Sequence, residues 1–507
     1  MRHPSVIPAR AVPQGDFLRG VPQGDFLRGV PQGDFLRGVP QGDFLRGVPQ
    51  EDFLRGVPGR NDDVLPESLC LSSFHSLRDA LAAWCYVAVV VLVVASVWLP
   101  GYPAWVTGII AWAACLLLLP RLPPQQLYMV LALAGLGALG IAWGMARGSE
   151  GLITTALTQN VPLSGMLIAV SFLQLIAVGR NAADEPLQQG RAALFKTMIG
   201  VHLFGAVINF SAVAIFADRL SARMRLTMEQ AMGLSQAFIV GATWSPFYGA
   251  MAAALTAAPG ASLTQLIAWG MPVSAIGIVV TWFTLTSARH GKAENFVGYP
   301  LHLEALWVPA VLAAGVLAVH EWQPQWPVLA IIAALASLVT VATLLIRDGA
   351  QAGSTLLRHV HTRLPAMNGE LTLFLAAGIL SAGMTGTIDA LDLGLPFSRF
   401  GTFEASVVLI VMNVCAWLGL HPIILVSVLG PWLIPVQPDQ TLLAMTFLMS
   451  WGIGLTACPM SNTMLAMAGR YGLPFGKLLG QNRRYSARMT AVCIAVLHVY
   501  GAVKGMS

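Results

Sequence analysis

The stretch ACPMSNTMLAM, Ala457 to Met467, sets a proline and a Ser-Asn-Thr triplet inside a long apolar run. How that stretch is read depends on the solvent around it. The chain has 507 residues, 56% of them hydrophobic and only 10% charged, where an ordinary soluble domain carries about 25% charged residues. This is the composition of an integral membrane protein. In hydrocarbon every backbone polar group must be paired, so a non-helical segment at membrane depth survives only inside protein or beside a water-filled cavity. Pro459 removes a backbone donor and disturbs the preceding turn, and Ser461, Asn462 and Thr463 place hydroxyl and amide groups at the gap. The segment therefore reads as an interrupted membrane helix with a candidate binding function.

Working outward, apolar runs long enough to cross a core of about 30 Å recur from Leu81 to the C-terminus. Nine read as simple spans: Leu81 to Leu99, Ala104 to Leu119, Leu127 to Met145, Val161 to Val178, Leu263 to Leu285, Leu306 to His320, Val328 to Ile346, Leu371 to Ile388 and Met489 to Val503. Thr227 to Ala257 and Thr441 to Gly472 are longer and interrupted. Ala193 to Phe216 and Phe403 to Leu433 need another account, which the distribution of basic residues supplies.

Short loops rich in Lys and Arg stay cytoplasmic. Arg180 and Arg191 precede Ala193 to Phe216, and Arg219, Arg223 and Arg225 follow it. A single crossing would put one of these flanks outside, so the segment reads as a re-entrant hairpin. Further basic loops carry Arg289 and Lys292, then Arg347, Arg358 and Arg363, then Lys477, Arg483, Arg484 and Arg488. They make Phe403 to Leu433 a second hairpin, entering from the other side. The expected fold is an all-α integral membrane protein of about eleven transmembrane helices plus two re-entrant hairpins, N-terminus cytoplasmic and C-terminus external, in a bacterial inner membrane. Both halves run span, hairpin, interrupted span, span, with opposite orientation. Such an inverted repeat is a common transporter plan with its site near the midplane. TWSPFYGAMA (Thr243 to Ala252) lies over PMSNTMLAMA (Pro459 to Ala468) as the symmetry mate.

The expected domains are a disordered tail over residues 1–80, scaffold helices over 81–146, a first repeat over 147–300, scaffold helices with a cytoplasmic linker over 301–369, and a second repeat over 370–507. The tail repeats VPQGDFLRG from Val12, Val21, Val30 and Val39, then VPQEDFLRG from Val48. Three apolar residues in nine bury too little for a core. The six cysteines form no CxxC pair and read as packing residues.

The candidate substrate- or ion-binding residues are Ser461, Asn462 and Thr463 at one break, Thr243 and Ser245 at the other, and Asn209, Ser211 and His421 at the hairpin tips. Hydroxyls and freed carbonyls suit a hard cation such as Na⁺, and helix N-termini suit an anion. His202 lies on the entering arm of the first hairpin, and Asn413 lies eight residues before His421. No Asp or Glu falls in the middle of a span. That favours an anionic or neutral substrate over a bare cation.

The plan and the Ser-Asn-Thr triplet at 461–463 resemble the ion transporter superfamily, in particular its divalent anion/sodium symporters and the arsenite-pump and sodium/proton antiporter groups. The resemblance implies alternating access, coupling to Na⁺ or H⁺, no cofactor beyond a coupling Na⁺, and a homodimer in membrane lipid. It differs in that the dicarboxylate carriers hold their triplets at hairpin tips, whereas these tips read INFSA and GLHP. Two other readings compete: an enzyme acting on a lipid-linked substrate, for which no acid/base pair accompanies Arg470 to Arg488, and a membrane adaptor displaying its tail. The net charge of +5 sits in the short loops, which gives no reason to expect nucleic acid as a partner.

Overall fold

The computed structural model describes residues 77–99, 101–177, 187–222, 224–287, 296–298, 307–391, 394–395 and 397–506. The nonapeptide repeats and Cys70 lie outside them. The first helix, α1 (Leu77–Ala95), takes up the last four residues of the expected tail. It is followed by α2 (Ala104–Leu117), α3 (Pro124–Ala146), α4 (Leu152–Thr158), α5 (Val161–Ser171) and α6 (Gln174–Ala177). A two-residue ladder, β1 (Gln188–Gln189) against β2 (Val297–Gly298), brackets α7 (Arg191–Ile208), α8 (Phe210–Ser221), α9 (Met228–Ile239), α10 (Gly249–Ala257) and α11 (Leu263–Thr286). Then come α12 (Trp307–Trp322), α13 (Val328–Asp348), α14 (Ala352–Ala366), α15 (Asn368–Leu391), α16 (Thr402–Trp417), α17 (Pro422–Leu433), α18 (Gln440–Thr456), α19 (Asn462–Gly469) and α20 (Phe475–Lys504).

Among the described residues eight helical segments are long and apolar enough to cross a membrane. Seven coincide with expected simple spans. The eighth is α7, expected to be the arm of a hairpin; its 18 residues rise about 27 Å, close to a full hydrocarbon core. The expected spans at α2 and α12 are shorter, with 14 and 16 residues. Large apolar side chains such as Leu136, Leu139 and Ile346 lie on the outside of the bundle, as suits a hydrocarbon solvent. The chain is a multi-pass membrane protein.

Two segments read as basic loops are helical. Arg358 and Arg363 lie on α14, which a 3₁₀ turn (Gly349–Gln351) joins to α13. Lys477, Arg483, Arg484 and Arg488 lie on α20, which begins directly after Pro474. Arg, Lys and Gln are good helix formers. Charge moved them out of the apolar window without giving the backbone a reason to leave the helix. Arg483 donates to the Trp417 carbonyl at 2.7 Å and Arg488 to Thr284 Oγ1 at 3.2 Å, so both grip neighbouring helices.

Among the described residues the most extensive helix pairing is α3 with α15. A Cβ on Gly140 would lie 2.2 Å from the Gly383 carbonyl oxygen, and one on Gly383 would lie 2.2 Å from the Gly137 oxygen. The two backbones touch, as small residues permit in membrane helices. In the first half α5 packs on α13, as α15 packs on α3 in the second. In each half the helix entering the hairpin (α7, α16) and the last helix (α11, α20) pack on the leading part of the interrupted helix (α9, α18), and α11 packs on α20. The halves thus share both the order of their elements and much of their neighbour pattern.

Candidate functional site

Both interrupted helices break where proline sits. In the first, α9 starts on a capping box of Thr227 and Gln230, tightens into a 3₁₀ turn (Val240–Thr243), and leaves Trp244 to Tyr248 irregular before α10. In the second, α18 ends at Thr456, and Ala457 to Ser461 precede α19. Four residues separate the last helical threonine from the next N-cap in each half, namely Trp-Ser-Pro-Phe and Ala-Cys-Pro-Met. The helix ends therefore align GATWSP (Gly241 to Pro246) with GLTACP (Gly454 to Pro459), matching Gly, Thr and Pro. This register differs from the expected pairing by three positions. The earlier register matched frequent Ala and Met residues, whereas the helix boundaries are set by proline. Ser461 now corresponds to Tyr248, and Ser245 to Cys458.

The hairpin tips are built alike. Asn209 has φ +56° and caps α8 by accepting a hydrogen bond from its own neighbour, Phe210 N, at 2.9 Å. His421 caps α17, its Nδ1 accepting from Ile423 N at 3.3 Å. Each tip polar residue thus serves its own second arm. The arms of the second hairpin diverge: α16 packs on α18 and α20, whereas α17 packs on α15 and α10.

Each tip meets the break of its own half. Ser245 is buried, donates through Oγ to the Ala206 carbonyl three residues before Asn209, and accepts from Phe247 N at 3.3 Å. At the other tip, a Cβ on Gly419 would touch Pro459 and Met460, each 3.7 Å away. The halves meet as well. The Thr243 methyl packs on Gly452, one turn before the second break. Gly249, first residue of α10, faces Phe374; Phe374 stacks on Trp451 at 6.2 Å between ring centroids; Trp451 meets His421 edge-on at 5.4 Å.

Of the eight expected residues, these contacts gather Asn209, Thr243, Ser245, His421 and Ser461 around the two breaks. The Thr243 hydroxyl lies 2.9 Å from the Val240 oxygen and 3.1 Å from the Gly270 oxygen, so it is engaged with backbone. Ser461 accepts from Met464 N at 3.2 Å as the cap of α19. Thr463 is buried and Asn462 exposed. Among the described residues no hydrogen bond joins Ser211 or Asn462 to the other six. The hydroxyls expected to face a ligand mostly hold the breaks in shape.

The two helices that restart after the breaks differ at their N-termini. Ser461 covers one donor of α19. Tyr248 provides no cap for α10, because its hydroxyl is turned back to donate to the Phe238 carbonyl at 2.7 Å. The first amides of α10 thus keep their positive end free of a side-chain acceptor. No feature of the sequence around Tyr248 signalled this, since an aromatic residue in an apolar run reads as packing.

Buried side chains outside the expected set bridge these elements. Gln236 Nε2 donates to Asn482 Oδ1 at 2.9 Å, Thr281 Oγ1 donates to Gln236 Oε1 at 3.0 Å, and Asn482 Nδ2 lies 3.2 Å from Met464 Sδ, which ties α9, α11, α19 and α20 together. Asn413 Nδ2 donates to Thr490 Oγ1 at 2.9 Å, while its Oδ1 fills the space a side chain on Gly454 would need. His202 sits against Trp244 in the first break. Only composition could have flagged these residues: polar side chains within apolar helices are expensive and cluster where a membrane protein does its work.

No family model matches the chain, and no curated protein matches it. Among solved structures it is similar to the crystal structure of the Alcanivorax borkumensis YdaH transporter, described as having an unusual topology, at 15% identity over 74% of this chain and 85% of that one. The TM-score is 0.33, too low for the likeness to carry an argument about fold or function.

Proposed function

We propose that the chain is a secondary transporter that moves a small anion or organic acid by alternating access, driven by Na⁺ or H⁺. The observation that carries this reading is the pair of matched breaks, GATWSP and GLTACP, each with a hairpin tip packed on it, and with Thr243 of the first lying against Gly452 one turn before the second. Interrupted helices whose halves point their termini at one place are how transporters make ion and substrate sites in a membrane. Neither break nor either tip contains Asp, Glu, Lys or Arg. The uncapped N-terminus of α10, whose Gly249 faces Phe374, is a place where an anionic group gains, because backbone N–H groups supply positive potential there. In this reading the hairpins are re-entrant, the halves are inverted about the membrane plane, and the protein works as a homodimer.

The test uses purified protein in lipid vesicles. Uptake of radiolabelled succinate, citrate and acetate is measured under an imposed inward Na⁺ gradient and, separately, an inward H⁺ gradient. In parallel, Asn462→Cys in a cysteine-free background is labelled with a membrane-impermeant maleimide from each side, with and without Na⁺. Expected are gradient-driven uptake of at least one acid, lost in Ser245→Ala, and labelling that changes with the gradient. Labelling that is equal from both sides under every condition, with no uptake, sinks the proposal.

A further inference from the structure

We propose that His202 is the proton-binding residue of this site, and that its protonation releases the first break; the inference rests on the transporter reading and names its coupling ion. His202 lies on α7, buried with 5% of its surface exposed, in contact with α9, the first break and α11. Its Nδ1 is 2.8 Å from the Ala237 carbonyl oxygen, and its Nε2 lies 3.1 Å from Trp244 Nε1 and 3.2 Å from Ser274 Oγ. The indole N–H can only donate and the carbonyl can only accept. The network therefore assigns a neutral ring, with the proton on Nδ1 and the lone pair on Nε2. His202 is then the acceptor that fixes Trp244, the first residue after the 3₁₀ turn.

A proton taken from water onto Nε2 makes both ring nitrogens donors. The Trp244 N–H then faces another N–H and loses its partner, while the Nδ1 bond to Ala237 and contact with the Ser274 oxygen survive. When the proton leaves, the lone pair returns and the indole bond re-forms. Protonation is thus tied to one side chain of the break, and through Trp244 to Ser245, which packs the break on the hairpin tip.

The surroundings leave His202 as the group that titrates. From the break Tyr248 approaches, its hydroxyl given to the Phe238 carbonyl. From α9 and α11 come only the Ala237 carbonyl and the Ser274 hydroxyl, and no charged side chain acts on the ring among the described residues. The charges on the packed helices are remote in sequence: Arg191 and Lys196 lie eleven and six residues before His202 on α7, Glu229 eight before Ala237 on α9, Asp218 and Arg219 in the last turn of α8, and His320 and Glu321 in the last turn of α12. α11 carries no Asp, Glu, Lys or Arg. In the second break Ala457 stands where the first has Trp244.

The experiment reads Trp244 directly. Emission of the full chain in lipid nanodiscs is recorded from about pH 8 to about pH 4, the range that brackets a histidine, and the Trp244→Phe spectrum is subtracted. Wild type is expected to lose Trp244 emission reversibly on acidification, because an imidazolium quenches an adjacent indole. His202→Gln keeps an acceptor and a donor but cannot gain a proton, and the loss should vanish. Ser274→Ala removes the oxygen that accepts from Nε2–H once the ring is charged and should move the midpoint to lower pH, which covers the case in which His202→Gln misfolds. A titration that persists in His202→Gln, a midpoint unmoved in Ser274→Ala, or emission that ignores pH overturns the assignment. An intact titration without gradient-driven uptake supports the proton site and refutes the transporter reading.

Discussion

The seam between α3 and α15 gives the most direct stability test. A methyl group on Gly140 would sit 2.2 Å from the Gly383 carbonyl oxygen and 2.7 Å from Thr387 Oγ1, whose own hydroxyl donates to that same carbonyl at 2.8 Å. A carbon and an oxygen need roughly another 1 Å, and a gap of that order forfeits about a quarter to a half of each van der Waals well it opens. The obstacle is backbone, so no rotamer change relieves it. Overpacking of this kind costs about 1 to 3 kcal/mol, and the upper end applies here. Against this, Gly→Ala gains up to about 1 kcal/mol of helix propensity. Gly135, on the same helix with nothing within 4 Å of its added carbon, receives that gain without the clash. Gly140→Ala should therefore melt several degrees below Gly135→Ala in detergent, followed by tryptophan fluorescence. Adding Gly383→Ala should cost less than it does alone, because the first substitution already opens the seam. Equal melting of Gly140→Ala and Gly135→Ala would refute the close backbone contact.

Three further outcomes can be measured on the same material. Ser461→Ala removes the cap of α19 and should cost about 1 kcal/mol, recovered by Ser461→Thr but not by Ser461→Val. Asn482→Ala leaves the buried Gln236 amide without its acceptor; about 1 kcal/mol should be lost, given how modest such bonds are between membrane helices, and Gln236→Leu made on top of it should cost almost nothing more. In a cysteine-free background Asn462→Cys should react with a water-soluble maleimide while Thr463→Cys, at a position 3% exposed, stays protected; equal reactivity would contradict the orientation of α19.

Much of the architecture was legible because a bilayer leaves the backbone few choices. Seven expected spans appear as long apolar helices, and both interruptions fall at the prolines that announced them. Asn209 and His421 were legible as turn residues for the same reason. Their partners were not, since a cap looks in sequence like any other polar residue beside a hairpin. The basic segments of α14 and α20 read as loops because hydropathy reports the solvent of a residue and not its φ and ψ.

By itself, then, the sequence determined the solvent, the places where helices must stop, and the repeated order of parts, since each follows from local rules about burying apolar surface and pairing backbone groups. Only tertiary structure decided what each polar group does. It set the register of GATWSP against GLTACP, spent the hydroxyls of Thr243 and Ser245 on backbone carbonyls, and turned the Tyr248 hydroxyl away from the helix it precedes. It also brought His202 to Trp244 across 42 residues of chain. A hydrogen-bond partner is fixed by where helices cross, and crossing depends on contacts such as Gly140 on Gly383, which no local pattern records.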